Sequence, residues 1–285
     1  MSAFLKHNRL MKLKKSGILI GLVIVSIFIV AFTIDMNGKN ESEIISGSKN
    51  VGGTIEFSGY TWTVKDSYGK HTGPGNNYFS GSKQNVYVDE NGKLHLRLTM
   101  RNDKWYCPEV RMLNNLGYGK YIFYIDSMET PLDKDIVVGL FMYDREDSLN
   151  FHKEVDIEFS QWGKDNSLNS QYVMQPKEDE AYRYNTDFTK KSKHTIELRK
   201  KKIIFKSTYK TENENGCFQK NFSHYKIKPN KEYKSINERV SINVWLYRMS
   251  EPSNLKEFEI VFSKFEFKPF RFPGIINPAP NPQQY

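Results

Sequence analysis

The stretch HKEVDIEFSQWG contains three acidic side chains at alternate positions, Glu154, Asp156 and Glu158, with only Val155 and Ile157 between them. Because successive side chains of a β-strand point to opposite faces, this pattern predicts a strand with an apolar face in a core and an acidic face outside it. Like charges side by side on one face repel each other. The pattern therefore indicates either a solvated acidic face or a group of catalytic carboxyl groups.

The same alternation recurs along the chain. Leu94, Leu96 and Leu98 share one face of a predicted strand, and Asn91-Gly92 just before it is a strong hairpin signal. No segment of 12 or more residues after residue 34 keeps a helical period. Many short strands without helical crossovers predict an all-β fold of two antiparallel sheets packed as a sandwich. Further strand candidates are residues 118–125, 135–143, 154–159, 170–175, 194–198, 203–209, 240–247 and 257–267.

The N-terminal part of the chain has a different composition. Residues 1–16 are basic. Residues 17–34 contain no charged residue, and Asp35 directly follows them. This apolar run is close to the roughly 20 residues that cross a bilayer. We interpret it as an uncleaved signal anchor that keeps the N-terminus inside and exposes the rest outside the cytoplasm, with a removed signal peptide and secretion as the alternative. Residues 35–53 then read as a flexible linker, residues 54–270 as the catalytic domain and residues 271–285 as a Pro-rich tail.

Charge and cysteine content narrow the function classes. Five basic residues lie among the first 15, and the remaining chain carries 37 basic and 33 acidic residues. That balance is not the footprint of a nucleic-acid-binding protein. The dense basic run RKKK, residues 199–202, lies between two strand candidates and predicts a solvated hairpin loop. Cys107 and Cys217 could pair or remain buried thiols, and no metal-ligand spacing accompanies them.

Chemistry offers a reason to crowd three carboxyl groups together. Retaining glycosidases use two carboxyl groups about 5 to 5.5 Å apart, one as nucleophile and one as general acid and then base. Positions i and i+4 of a flat strand are about 13 Å apart along the backbone, so the Glu154 and Glu158 side chains must converge, as a concave strand allows. Asp156 lies within reach of both, and mutual repulsion favours keeping one proton in the set near neutral pH.

The motif E-V-D-I-E, preceded by His152, resembles the E-[aliphatic]-D-[aliphatic]-E signature of glycoside hydrolase family 16, which includes lichenases and xyloglucan endotransglycosylases. The resemblance implies a β-jelly-roll sandwich with a concave substrate groove. It also implies Glu154 as nucleophile, Asp156 as its helper and Glu158 as acid/base. No extra residue separates Asp156 from Glu158, which is similar to the lichenase and xyloglucan branch.

Other segments extend the resemblance from about residue 54 to residue 268. GPGNNYFS resembles a loop that supplies a sugar-binding Asn, CPEVRM a segment with Glu and Arg two residues apart, VVGLFMY the strand before the catalytic one, and SINVWLY a late strand with an N-x-W motif. Aromatic rings stack on sugar faces, while Asn and Arg donate to hydroxyls. Without the resemblance, these aromatic residues read equally well as core residues. The implied substrate-binding residues are Asn77, Glu109, Arg111, Phe141, Tyr143, Asn243 and Trp245.

Some positions depart from the family pattern. The tryptophans common after the catalytic strand are missing from residues 192–205, and Gln175 stands where an aromatic residue is expected. Ser263 occupies the place of an Asp that holds structural calcium in lichenase-like members. We therefore predict no cofactor, and a calcium ion is doubtful.

The sequence predicts a monomeric retaining endo-β-glycosidase, similar to a β-glucanase, whose partners are a β-glucan-like polysaccharide and, through its N-terminal helix, the membrane. Two alternatives stay open. A transglycosylase would use the same residues with a sugar hydroxyl in place of water, and a non-catalytic sandwich would bind carbohydrate without cleaving it.

Overall fold

The computed structural model describes residues 51–165, 167–176, 181–210, 218–229, 233–234 and 237–270. Within these ranges the chain forms 18 β-strands, numbered in chain order, and two short 3-10 turns, Ser148–Lys153 and Tyr247–Met249. The strands form two sheets, which confirms the predicted all-β sandwich.

Several sequence predictions fall outside the described residues. These are the basic N-terminus, the apolar run of residues 17–34, most of the linker, the Pro-rich tail and Cys217. In the described part of the chain, no helix is long and apolar enough to cross a membrane.

The first sheet has eight strands, and every neighbouring pair is antiparallel. The strand of residues 155–159, which contains Asp156 and Glu158, lies near one side of this sheet. In spatial order the strands are β1 (Val51–Phe57), β2 (Tyr60–Lys65), β8 (Glu109–Met112), β17 (Arg239–Leu246), β10 (Ile136–Tyr143), β11 (Val155–Phe159), β12 (Ser170–Met174) and β13 (Tyr182–Tyr184).

The second sheet has ten strands and covers the other side of the core. Its pairs are antiparallel except one, in which residues 77–79 pair in parallel with residues 104–107. In spatial order the strands are β16 (Phe218–Ile227), β15 (Lys202–Lys210), β14 (Ser192–Arg199), β9 (Gly119–Met128), β18 (Phe258–Pro269), β6 (Leu94–Arg101), β7 (Lys104–Cys107), β4 (Asn77–Phe79) and β3 (His71–Thr72), and β5 (Val86–Val88) pairs with β6.

Both predicted hairpins are present. In the β5–β6 hairpin, the Asp89 amide donates to the Lys93 carbonyl at 2.9 Å, and Gly92 adopts the positive φ of 73° that this turn requires. In the β14–β15 hairpin, Arg199 pairs with Lys202, so Lys200 and Lys201 form the exposed loop. The basic run is thus a solvated turn of the second sheet.

The core lies between the sheets and is rich in aromatic contacts. Trp62 of the first sheet meets Phe265 of the second with ring centroids 5.3 Å apart, and Tyr172 stacks on Phe205 at 4.9 Å. Cys107 is a free thiol in this core, and burial raises its pKa to about 12. Because the first sheet uses one face for the core, its other face is left for a binding site.

His194 is a polar group inside this core that sequence patterning did not single out. It is fully buried, with Nδ1 2.7 Å from Ser207 Oγ and Nε2 2.8 Å from Ser192 Oγ. Burial lowers the pKa of His194 from 6.5 to about 3. The neutral imidazole is therefore held by two hydroxyl groups that can each donate or accept.

We expect His194 to make the fold acid-sensitive. The unfolded chain takes up a proton at His194 as the pH falls through 6.5, whereas the folded chain does so only near pH 3. This contribution to stability is complete above pH 6.5 and is lost as the pH falls towards 3. Between pH 7 and pH 5 it amounts to about 2 kcal/mol of unfolding free energy.

Denaturant unfolding at several pH values checks this prediction. The variant His194→Gln should show a shallower fall in unfolding free energy between pH 7 and pH 5 than the wild type. The variant His224→Gln, at an exposed position of β16, should keep the wild-type slope. Equal slopes for the wild type and His194→Gln would contradict the assignment.

Candidate active site

Strand β11 carries the three acids into the open face of the first sheet. Val155 and Ile157 are fully buried, and the side chains at the alternate positions line a groove. Glu154 directly precedes the strand with extended backbone angles, and its carbonyl accepts a hydrogen bond from the Gln175 amide at 3.1 Å. The alternating pattern read from the sequence therefore continues through Glu154.

A strained turn sets the position of Glu154. Phe151, His152 and Lys153 all have positive φ, a conformation that costs a non-glycine residue about 1 to 2 kcal/mol. Lys153 Nζ lies 2.9 Å from Asp147 Oδ2 and 3.3 Å from Asp144 Oδ2, and His152 Nδ1 lies 2.8 Å from the Asp144 carbonyl. These contacts offset the strain and fix the direction in which the chain enters β11.

The antiparallel register arranges the groove-facing side chains in rows across the sheet. In the row that we call the central row, Glu158 pairs with Gly139, Gly139 with Asn243, and Asn243 with Glu109. Neighbouring strands are about 4.8 Å apart, so this row runs for about 14 Å from Glu158. On the opposite side of Glu158 the row continues to Gln171 and then Arg183.

Two further rows lie beside the central row. In the second row, Asp156 pairs with Phe141, Phe141 with Ser241, and Ser241 with Arg111. In the third row Tyr143 pairs with Arg239, and because Met142 pairs with Val155, Glu154 follows beside Tyr143. Each acid thus begins a different row that leads away from β11 across the sheet.

The groove over these rows has a volume of about 610 Å³. Nine of the ten site residues predicted from the sequence line it. It also contains Lys65, Thr72, Gly73, Pro74, Gly139, Arg145 and Ser241, which sequence reasoning missed. The predicted residues that line the groove are Glu109, Arg111, Phe141, Tyr143, Glu154, Asp156, Glu158, Asn243 and Trp245.

Asn77 is the predicted site residue that does not line this groove. It is 5% exposed, and its Nδ2 donates to the Pro74 and Leu246 carbonyls, both at 3.0 Å. Gly75 follows Pro74 with φ 66°, and a Cβ at Gly75 would come within 2.7 Å of the Trp245 ring. The structure therefore shows Asn77 holding the loop that closes against Trp245, while direct sugar contact by Asn77 stays a prediction.

A buried ion pair lies at the Glu109 end of the central row. Lys65 Nζ lies 2.9 Å from Glu109 Oε2, and both side chains are almost completely buried. Asn243 Nδ2 donates to the same carboxylate at 3.5 Å, while Asn243 Oδ1 has no hydrogen-bond partner among the described residues. The amide is thereby oriented with an acceptor left for a ligand hydroxyl.

Gln171 contacts Glu158 on the other side. Its Nε2 donates to Glu158 Oε2 at 2.5 Å, and its own Oε1 has no partner within the described chain. Ser170 and Tyr172 on either side of Gln171 are both buried. Because side chains alternate along a strand, this pattern could have predicted that Gln171 faces the groove. Only the strand order shows that it faces Glu158.

Gly139 lies between Glu158 and Asn243 in the central row, and the Asn243 amide covers it. A Cβ there would lie 2.6 Å from Asn243 Oδ1 and 3.4 Å from the Phe141 ring. A side chain at this position would displace the Asn243 amide, so the glycine allows Asn243 to lie across the row towards Glu158.

The resemblance predicted from the sequence places Ser263 where lichenase-like proteins have a calcium-binding Asp. Ca²⁺ is bound by six to eight oxygen ligands that include carboxylates. Ser263 offers one exposed hydroxyl, 3.5 Å from the Tyr124 carbonyl, and the next residue is Lys264. No cluster of three or more His, Cys, Asp or Glu side chains able to hold a metal occurs in the described ranges. The residues around Ser263 do not fit calcium.

Comparison with known proteins adds a sequence match and a shared fold. No protein-family model matches the chain. Over 112 residues, which are 38% of this chain and 43% of the relative, it is 36% identical to a β-glucanase of Paenibacillus polymyxa. The matched segment thus spans less than half of that relative.

Solved structures resemble a much larger part of the chain. The Bacillus licheniformis β-glucanase has a TM-score of 0.54 and 18% identity, over 77% of this chain and 99% of the other. A Mycobacterium tuberculosis protein described as an immunostimulatory antigen and pseudo β-1,3-glucanase has a TM-score of 0.50 and 14% identity, over 74% and 97%. The fold is therefore that of β-glucanases, and the resemblance predicted from the motifs is confirmed.

We expect the contact between Gln171 and Glu158 to tune the pH profile. An amide donor favours an ionised carboxylate, so removing it favours the protonated form that a general acid needs. The measurement is the pH profile of kcat/KM on a polysaccharide that the wild type cleaves. For Gln171→Met, the fall of kcat/KM on the alkaline side of this profile, the alkaline limb, should occur at higher pH than in the wild type. The exposed-loop variant Gln84→Met should keep the wild-type limb. A limb that stays in place or moves to lower pH in Gln171→Met would contradict this role.

Proposed function

We propose that this chain, which resembles the β-glucanases of glycoside hydrolase family 16 in fold and in motif, is a retaining endo-β-glycosidase of β-glucan-like polysaccharides. The observation that carries the proposal is the arrangement of Glu154, Asp156 and Glu158. They lie at successive groove-facing positions along one side of an open groove lined with hydrogen-bonding and aromatic side chains. An open groove accepts the interior of a polymer, which favours endo cleavage.

The proposed reaction is a double displacement. Glu154 attacks the anomeric carbon while Glu158 donates its proton to the departing glycosidic oxygen, which leaves a glycosyl ester on Glu154. A water molecule then gives a proton to Glu158 and attacks the same carbon, which releases Glu154. Two inversions retain the anomeric configuration. Asp156, between the two on the same face, helps Glu154 by sharing a proton or hydrogen bond.

The remaining groove residues support sugar binding. The Glu109 carboxylate and the Asn243 amide, which are hydrogen-bonded to each other, present oriented groups to sugar hydroxyls in the groove. Phe141 and Trp245 offer ring edges and faces along the same groove, on which apolar sugar faces can pack. These roles extend the family resemblance residue by residue.

Two alternative functions use the same geometry. The row beyond Glu158 continues to Gln171 and Arg183, and an acceptor sugar held there would replace water and make the protein a transglycosylase. A non-catalytic sandwich is a second alternative, because a protein described as a pseudo β-1,3-glucanase shares the fold. The presence of all three acids in the groove favours catalysis.

Carboxyl-to-amide variants test the proposed roles. Glu154→Gln and Glu158→Gln should each lower kcat by at least about a thousandfold, because nucleophile and proton donor are each lost. Asp156→Asn should lower it less. The measurement is the release of reducing ends from mixed-linkage β-glucan, laminarin and xyloglucan, with product lengths. The exposed-loop variant Glu90→Gln should match the wild type. Normal turnover by Glu154→Gln would show that the site assignment is wrong.

We also propose that residues 17–34 anchor the chain in a membrane with the sandwich on the outer side. The support is the apolar run and its basic flank. The full chain should sediment with membranes, resist extraction by salt and dissolve in detergent, and external protease should digest the sandwich in intact cells. Full-length chain in the soluble cytoplasmic fraction would contradict the proposal.

A further inference from the structure

Three arginines lie close together beside the central row, and two of them, Arg111 and Arg145, line the groove. Arg111 lies in the second row, Arg239 faces Tyr143 in the third row, and Arg145 lines the groove two residues beyond Tyr143. Ser241 pairs with Arg111, and Arg239 is two residues before Ser241 on β17, so Arg111 and Arg239 are diagonal neighbours on one face. We call these three residues the arginine corner.

Arg111 is the buried member of this corner. It is 8% exposed, its Nη2 donates to the Tyr143 carbonyl at 3.1 Å, and its Nε has no hydrogen-bond partner in the described part of the chain. Burial, and after it the positive charges of Arg145 and Arg239, lower the pKa of Arg111 to about 10. A buried guanidinium with an unused donor and two cationic neighbours is stabilised by an anion.

The two acids that act on the charge of Arg111, Glu109 and Asp144, are each paired with a lysine. Glu109 forms its ion pair with Lys65, and Asp144 lies 3.3 Å from Lys153 Nζ. Across the rows, Phe141 and Ser241 stand between Arg111 and Asp156, and Tyr143 stands between Arg239 and Glu154. The catalytic acids therefore occupy one side of the groove and the arginines another.

We infer that the arginine corner is a subsite for an anionic substituent of the polysaccharide, either a carboxylate or a sulfate. This inference rests on the proposed glycosidase function and names the class of substrate for that same site. Guanidinium groups present paired N–H donors that match the oxygens of both anions. A sugar chain along the central row would direct a side substituent towards the second and third rows, where Arg111 and Arg239 lie.

The inference is tested by binding, so that its outcome does not depend on turnover. Three sets of mixed-linkage β-glucan oligosaccharides serve as probes: unmodified, oxidised at C6 to carboxylates, and sulfated at C6. Calorimetry would measure their affinity for the Glu154→Gln chain at low and at high ionic strength. We expect at least one anionic set to bind about tenfold more tightly than the neutral set at low salt, and the preference to shrink as salt screens the charges.

Variants in the Glu154→Gln background then assign the preference. Arg239→Gln should remove most of the charge preference, and Arg239→Lys should retain part of it, because the charge stays while the paired donors are lost. Lys206→Gln, an exposed position on the second sheet with the same change of charge, should leave the preference intact. The two anionic sets distinguish a carboxylate from a sulfate subsite.

The outcomes separate this inference from the proposed function. Equal affinity for neutral and anionic oligosaccharides, no binding of any set, or a preference that survives Arg239→Gln would each overturn the subsite. If the wild type cleaves neutral glucan while the preference is missing, the subsite alone fails. If the preference is present but the wild type cleaves none of the polymers, the subsite stands and the glycosidase proposal fails.

Discussion

The arrangement of the site depends on the burial of one face of β11. Val155, Ile157 and Phe159 are fully enclosed between the sheets, and each buried apolar side chain of this size contributes about 1.5 to 3 kcal/mol. A slip of one residue would move the acids into this core and the apolar residues into the groove, which is prohibitively unfavourable. The core therefore fixes which way Glu154, Asp156 and Glu158 point.

The same register orders the rest of the groove. Because neighbouring strands are antiparallel and aligned, Asp156 and Glu158 on β11 and Glu154 just before it each begin a row that crosses β10 and β17. The glycine at position 139 gives the Asn243 amide room to lie across the central row between β10 and β17. Asp156 and Glu158 lie on β11, Arg239 lies on β17, and Arg111 lies on β8 together with Glu109, whose carboxylate is paired with Lys65. Catalysis and recognition of substituents can thus occupy different parts of one surface.

Local patterns were sufficient to predict much of the fold. Alternation identified half of the 18 described strands, with members in both sheets, and Asn91-Gly92 identified a hairpin. The resemblance then predicted nine residues that the structure brings into one groove, although they come from strands distant in sequence. Their roles in chemistry and binding stay predictions that the proposed variants test.

Other features depended on strand order, which no local pattern contains. Gln171 meets Glu158 only because β12 pairs with β11, and Lys65 meets Glu109 only because β2 lies beside β8. Nothing in the local sequence connects Arg239 with the groove. The pairing of β17 with β10 brings it opposite Tyr143. Asn77 lines no groove wall because its amide hydrogens bind the Pro74 and Leu246 carbonyls, a pairing of segments far apart in the chain.

The central claim is that Glu154 forms a covalent bond with the sugar. The most direct measurement is mass spectrometry of the protein after reaction with an activated 2-deoxy-2-fluoro-β-glucan oligosaccharide, which slows the second displacement, followed by peptide mapping. The account predicts one added glycosyl group on the peptide that contains residues 152–163, located at Glu154. A glycosyl group on Glu158, on Asp156 or on a residue outside the groove would contradict it.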